Sequence, residues 1–260
     1  LPNLQKLGLG NLHDVEGVPP INSPIASYGK MSELSKGKDS TTGHWELMGV
    51  VTEVPFPTYP DGFPEEIISQ FTKLTGYEVI GNKPASGTVI IEELGDQHLE
   101  SGKLIVYTSA DSVFQIAAHT DLIPLEELYR VCEITREFLK PPHKMSRVIA
   151  RPFNGKSGEY ARTVDRKDYS VIPPDSLIMK QLENAGVEVV AIGKVSDLYA
   201  GLGVTRKLVS KSNAQGMNVL DELYSQKTDT DRLILLNLVD FDMLWGHRNN
   251  PQGMAKDLEL

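Results

Sequence analysis

The sequence is poor in several things, and each shortage excludes a class of protein. It holds one cysteine in 260 residues, Cys132, so no internal disulfide can form. Cys132 falls in a helical apolar pattern and is expected to be a buried small hydrophobe. No apolar run approaches the ~20 residues that cross a bilayer. No leader pattern opens the chain either, so the expected setting is cytoplasmic, with no membrane partner. Positive charge is in deficit, 35 acidic against 26 basic residues for a formal net charge of −9. That argues against a nucleic-acid partner, but a phosphate ligand stays open because a few local arginines decide it. Internal repeats and low-complexity segments are absent too. What remains is ordinary globular composition, 40% hydrophobic and 23% charged.

Taken in order, Leu4 to Leu7 reads as a short helix, followed by a connection carrying Pro19-Pro20. Gly49-Val50-Val51 begins an extended segment that ends in the cluster Pro55, Pro57 and Pro60, a natural boundary. Pro64 to Lys73 has helical apolar spacing, with Glu65 and Glu66 in its first turn. Leu104 to Tyr107 reads as a strand, Thr108 to Asp111 as a polar crossing, and Val113 to Ala117 as a return to helix. Pro124 to Leu139 is a helix with Leu125, Leu128, Val131, Ile134 and Phe138 on one face, and Arg147 to Phe153 is a strand. Residues 55–170 therefore read as a compact α/β insert between 1–54 and 171–260. In the last part, helix 176–185, strand 187–193, helix 218–225 and strand 233–239 alternate. This is the rhythm of a doubly wound parallel sheet. Ligands in such sheets bind beyond the carboxyl ends of the strands, where Lys194, Asp240 and Asp242 fall.

The most chemically dense stretch is Gly37-Lys38-Asp39-Ser40-Thr41-Thr42-Gly43-His44-Trp45-Glu46-Leu47-Met48-Gly49. Turns alone favour Gly, Ser, Thr and Asp, but they do not call for Gly-His-Trp-Glu directly after a hydroxyl run. A hydroxyl at a helix start, with open backbone N–H groups around it, suits a nucleophile that carries a phosphoryl group. Elsewhere the signals are weaker. Asp242 and His247 could hold a divalent metal, yet on spacing alone a capping Asp and an exposed His explain them as well. Arg162, Arg166 and Lys167 could be a solvated basic loop. His13, His98, His119 and His143 show no partner pattern, and most are expected at the surface or as caps.

The run Lys38 to Glu46 resembles the signature of the phosphopentomutase family, in the alkaline phosphatase superfamily. Tyr107 to Val113, Arg147 to Phe153, and Asp240-Phe241-Asp242 with Gly246-His247 resemble further family segments, in the same order, so the likeness covers the whole chain. It implies an alkaline-phosphatase-like doubly wound core, partial here, with an inserted α/β cap domain. It also implies interconversion of α-ribose 1-phosphate, or its 2-deoxy analogue, with the 5-phosphate through a phosphoenzyme and a 1,5-bisphosphate. A related phosphoglycerate mutase or phosphatase, or a non-catalytic sugar-phosphate-binding fragment, are the alternatives.

By this resemblance Ser40 carries the phosphoryl group and also ligates metal, where the family commonly has threonine. Alignment on Gly43-His44 favours Ser40 over Thr41 and Thr42. Asp242 and His247 are implied as ligands of one of two Mn²⁺ ions, and glucose 1,6-bisphosphate as the activator. Ser109 and Asp111 stand at the ribose hydroxyls, Arg147 and Arg162 at phosphate, and Lys194 is a further phosphate residue. The family's early strand-end Asp, its Asp-His dipeptide and one further His find no counterpart between Leu1 and Leu260. The chain alone is therefore expected to bind metal weakly, to be inactive, and to lack core strands.

Overall fold

A computed structural model describes residues 1–37 and 39–259. In chain order the elements are α1 Pro2–Leu7, α2 Leu9–Leu12, α3 Ser40–Leu47, α4 Glu65–Thr75, β1 Val79–Pro84, α5 Gly87–Ser101, β2 Leu104–Thr108, β3 Val113–His119, α6 Leu125–Phe138 and β4 Arg147–Asn154. They continue with β5 Ala161–Arg162, β6 Lys167–Ser170, α7 Ile178–Asn184, β7 Glu188–Ile192, α8 Val195–Leu198, β8 Arg206–Leu208, α9 Asn213–Ser225, β9 Arg232–Leu236, a π-turn over Phe241–Gly246, and α10 Pro251–Asp257. The class is mixed α/β, as expected.

Two compact units share the chain. One holds Leu1–Leu34, Asp175–Ser196 and Gly201–Leu260; the other holds Ser35–Pro174 and Asp197–Ala200. The divisions fall at 34/35 and 174/175, against 54/55 and 170/171 read from the sequence. Residues 35–54 go with the larger unit because the Trp45 ring meets Phe56 edge-on at 5.8 Å and its indole N–H donates to the Leu198 carbonyl at 3.2 Å.

The larger unit is built on a six-stranded sheet ordered β1-β2-β3-β4-β5, with β6 also on β4. β1 runs parallel to β2 and β3 parallel to β4, whereas β2/β3, β4/β5 and β4/β6 are antiparallel. Alternation along each strand sorts the side chains between two faces. Leu104, Val106, Phe114, Ile116, Val148 and Ala150 pack with Ile67 and Phe71 of α4 and Leu128, Val131 and Cys132 of α6. Ile105, Tyr107, Ala117 and Phe153 take the other face, beneath Ile90 and Ile91 of α5. Each of these large apolar side chains contributes roughly 1.5–3 kcal/mol by leaving water.

Two expectations are corrected here. Val113 to Ala117 is strand, not helix: β3 lies between β2 and β4 with all seven residues buried, so it shows no polar face from which to read a period. The segment after Gly49 is irregular and joins no ladder. In addition, β1 and α5 do not stand out in the sequence, and α9 begins at Asn213, capped by the Ser212 hydroxyl accepting from the Gln215 amide, ahead of the expected 218.

In the smaller unit β8-β7-β9 form a wholly parallel sheet. Val190 and Ile192 of β7 pack with Leu223 of α9. Lys194 and Asp240 follow the carboxyl ends of β7 and β9.

The histidines correct another expectation, for His98 and His119 are core residues, 0% and 2% exposed. His98 Nδ1 donates to the Lys103 carbonyl at 2.6 Å, and Nε2 accepts from the His119 amide at 2.9 Å. Protonation would destroy that acceptor. Burial pushes His98 below its ordinary value of 6.5, the charge of His119 acting in the same direction and the Lys103 carbonyl against it. Below about pH 6.5 the unfolded chain therefore binds a proton that the folded one refuses, and stability falls with pH until the lower folded value is passed. We expect unfolding midpoints in urea to drop on acidification from about pH 7.5 to 5.5, with a slope approaching ~1.4 kcal/mol per pH unit from this residue. His98→Gln should flatten the slope; equal slopes in the two proteins would contradict the assignment.

Candidate active site

Ser40 is the first residue of α3 and faces solvent, whereas Thr41 and Thr42 are each 1% exposed. Asp39 is the N-cap. Its Oδ1 accepts from the Thr41 and Thr42 amides at 3.0 and 3.1 Å, and its Oδ2 accepts from the Thr42 hydroxyl at 2.7 Å. The open backbone N–H groups anticipated around the hydroxyl are thus already engaged by Asp39, a correction with a clear cause: Asp is a strong helix cap. Lys38 of the same motif lies outside the described residues. The helix is held from several sides. The Tyr199 hydroxyl donates to the His44 carbonyl, the His44 ring Nδ1 meets the Ser40 carbonyl at 2.7 Å, and Glu46 accepts from the Ser35 amide at 2.8 Å. Trp45, 4% exposed, packs in the core as expected.

In the other unit, Asp242 is the second residue of the π-turn and His247 caps its end. Their Oδ1 and Nε2 atoms are 3.2 Å apart, and both side chains are well exposed. Two ligands about 2.1 Å from one metal, near a right or tetrahedral angle, have donors about 3.0–3.4 Å apart, so the pair fits adjacent positions on one ion. Among the described residues no group of three or more His, Cys, Asp or Glu is assembled for a metal. Asp240 is engaged differently. It is 7% exposed, accepts from the Asn213 amide at 2.7 Å, and its own amide donates to Asn213 Oδ1 at 2.9 Å. It ties the end of β9 to α9. Lys194 lies in this unit, exposed in the turn after β7.

The remaining predicted site residues lie on the larger unit. The Asp111 amide donates to Ser109 Oγ at 3.4 Å, and Arg147 reaches Asp111 at 3.8 Å and Asp168 at 3.5 Å. Arg166 grips Asp168 through two bonds of 2.6 Å. Arg151 donates twice to Gln115 Oε1, at 3.2 and 3.1 Å. The Arg162 side chain makes no hydrogen bond or ion pair among the described residues. Arg151, Pro152, Arg162, Thr163 and Arg166 line a cavity of about 260 Å³. Burial and the charge of Arg166 hold Arg151 below its ordinary value; for Arg166 burial acts the same way, but the bonds to Asp168 outweigh it and the net shift is upward.

Four guanidiniums here share two contacting carboxylates, with Asp197 acting on Arg166 at longer range, so the face is cationic. Planar guanidinium forks of this kind suit phosphate oxygens. The structure therefore joins Ser109, Asp111 and Arg147 through contacts, and sets Arg162 beside Arg151 and Arg166. Arg151, Arg166, Asp168 and Gln115 are site residues that the sequence alone does not single out. For Arg151 a signal exists, since it stands four residues after Arg147 on a strand and so faces the same way.

Residues 3–260 match the metalloenzyme superfamily, and the chain belongs to it. Among similar proteins, the phosphopentomutase of Kosmotoga olearia is 55% identical over 261 residues, covering 100% of this chain and 66% of its own length. That of Dictyoglomus thermophilum is 52% identical over 259 residues, with 100% and 66% covered, and that of Clostridium novyi 50% identical over 258, with 99% and 66%. The chain thus spans about two thirds of the length of these curated relatives.

Removing the Asp39 cap should loosen α3. We expect Asp39→Ala to cost about 1–2 kcal/mol, the upper part of the range for a lost cap because a side-chain bond goes with it. Asp39→Asn should retain most of that stability. Chemical unfolding of both variants checks this, and an unchanged midpoint for Asp39→Ala would count against the cap.

Proposed function

We propose that the chain supplies the phosphoryl-carrying serine, the ligand pair of one metal and the sugar-phosphate-binding face of a phosphopentomutase. The supporting observation is selective exposure: of three adjacent hydroxyls only Ser40 reaches solvent, at the positive end of α3. The names of the similar proteins point the same way.

The substrates are α-ribose 1-phosphate and ribose 5-phosphate, or their 2-deoxy forms. Phosphorylated Ser40 meets the 5-hydroxyl of the 1-phosphate; the new O–P bond forms as the bond to Ser40 Oγ breaks, and the hydroxyl proton leaves to solvent. The resulting 1,5-bisphosphate returns its 1-phosphoryl group to Ser40 Oγ and departs as the 5-phosphate. Glucose 1,6-bisphosphate loads Ser40 at the outset. Asp242 and His247 hold one of two Mn²⁺ ions, which when bound supply the charge that lowers a hydroxyl's pKa and stabilises a transferring phosphoryl group. Asp111, with Ser109, accepts from ribose hydroxyls, and Arg147 and Arg162 orient the phosphate. Lys194 adds a point charge toward phosphate. The expected compartment is the cytoplasm; no helix among the described residues is long and apolar enough to cross a membrane.

Incubating the full gene product with Mn²⁺ and glucose 1,6-bisphosphate, followed by phosphopeptide mapping, tests the reading. One phosphoryl group on Ser40 is expected. Ser40→Ala should abolish it, and Asp242→Ala or His247→Ala should slow it by at least ~100-fold, as for loss of an essential metal ligand. A phosphoryl group on Thr41 or Thr42, or none on any residue, would overturn the assignment.

A further inference from the structure

The helix that carries Ser40 is too short to fix its own position. α3 has eight residues, and isolated helices below ~12–15 residues are marginal in water. Asp39 ties its amino end locally, which orders the first turn without setting where the helix points. Direction has to come from outside the helix. It comes from Asp197–Ala200, the one stretch beyond residue 174 that belongs to the larger unit. This stretch is itself anchored, because the Ser170 hydroxyl of β6 donates to the Asp197 carbonyl at 2.9 Å.

From there two bonds run to α3. The Leu198 carbonyl accepts from the Trp45 indole at 3.2 Å, and the Tyr199 hydroxyl donates to the His44 carbonyl. The Tyr199 and His44 rings also meet edge-on, with centroids 6.2 Å apart. Tyr199 is 1% exposed, and burial raises its pKa, so the phenol keeps its proton and remains the donor. The last carbonyls of a helix lack intrahelical partners. Here the Met48 amide bonds to the Trp45 carbonyl at 3.0 Å, and the His44 carbonyl takes the phenol. His44 passes the restraint on. Its Nδ1 lies 2.7 Å from the Ser40 carbonyl, which can only accept, so Nδ1 carries a proton and donates. The strand at the far end of this chain of bonds, β6, also holds Asp168, which grips Arg166 and contacts Arg147. Asp168 and Ser170 are two residues apart and share a face of the strand. One short strand therefore restrains both the arginine face and the residue that bears the Ser40 hydroxyl.

We propose that Tyr199, acting through His44, is a positioning residue that sets Ser40 for phosphoryl transfer. The proposal rests on reading Ser40 as the phosphoryl-carrying residue, and it deepens that reading. Phosphoryl transfer needs the attacking and leaving oxygens roughly in line, and a displacement of about 1 Å can cost on the order of 100-fold in rate. A two-turn helix holds that tolerance only if its far end is tied. Neither Tyr199 nor His44 has to touch the substrate for this.

Tyr199→Phe keeps the ring and removes only the hydroxyl. In the full gene product with Mn²⁺, we expect single-turnover phosphorylation of Ser40 by glucose 1,6-bisphosphate to slow about 10-fold, a fraction of an ångström on that scale. The kcat for ribose 5-phosphate should fall with it while KM stays unchanged. A residue that only stabilised the fold would leave the rate of the folded enzyme alone. Amide hydrogen exchange should quicken roughly 5-fold in α3, for one buried hydrogen bond lost, and keep the parent rate in β2 and β3. His44 gives a second test that does not depend on how well Tyr199→Phe folds. His44→Ala should slow phosphorylation to a similar degree, and His44→Asn, which keeps a donor near Nδ1, should restore most of the rate. Parent-like phosphorylation in Tyr199→Phe, a raised KM at unchanged kcat, or equal rates in His44→Ala and His44→Asn would overturn the positioning role and leave Ser40 as the carrier. A parent enzyme with no phosphoryl group on Ser40 would overturn the mutase reading and the positioning role with it.

Discussion

Two-faced packing of the six-stranded sheet is the constraint on which the larger unit depends. One face carries the main apolar core and is closed by α4 and α6. The other is apolar where α5 covers it, at Ile105, Ala117 and Phe153. The same strands also carry Gln115, Arg147 and Arg151, and β6 adds Asp168. Because successive side chains alternate, a strand cannot supply the α4/α6 core without also presenting its other residues opposite. The cationic face therefore comes from the same register as the core. Crowding guanidiniums together is unfavourable unless carboxylates or a ligand compensate, and here carboxylates do so in part.

The signature helix divides its hydroxyls by role. Asp39 takes the amides that an anion would otherwise use, so α3 is stable without a ligand. Ser40 remains outside this arrangement while Thr42 is drawn into it. The cap thus separates a hydroxyl that holds the fold from one that is exposed.

Much of this is legible in the sequence. Elements with one solvated side, α4 and α6, show a clear helical period, and the β-branched runs of β2, β4 and β7 read as strands. β3 does not, because burial on both faces removes the alternation that identifies a strand. β1 is hard to read because Gly81, Asn82, Lys83 and Pro84 are poor strand formers; as an edge strand it tolerates them, with Asn82 at positive φ. In α5 the inward position His98 reads as polar, though its ring is fully paired in the core. At the site, Ser40 stands out by its neighbours. Arg166 does not, since its pairing with Asp168 and its place at the cavity are not visible in a sequence.

If the exposed part of the sheet's second face binds phosphate, a crystal structure with ribose 5-phosphate should show it there. The phosphorus is expected within reach of the Arg162 guanidinium, in the cavity it shares with Arg151 and Arg166. Phosphate found elsewhere, with that cavity holding only water at saturating ligand, would contradict the assignment.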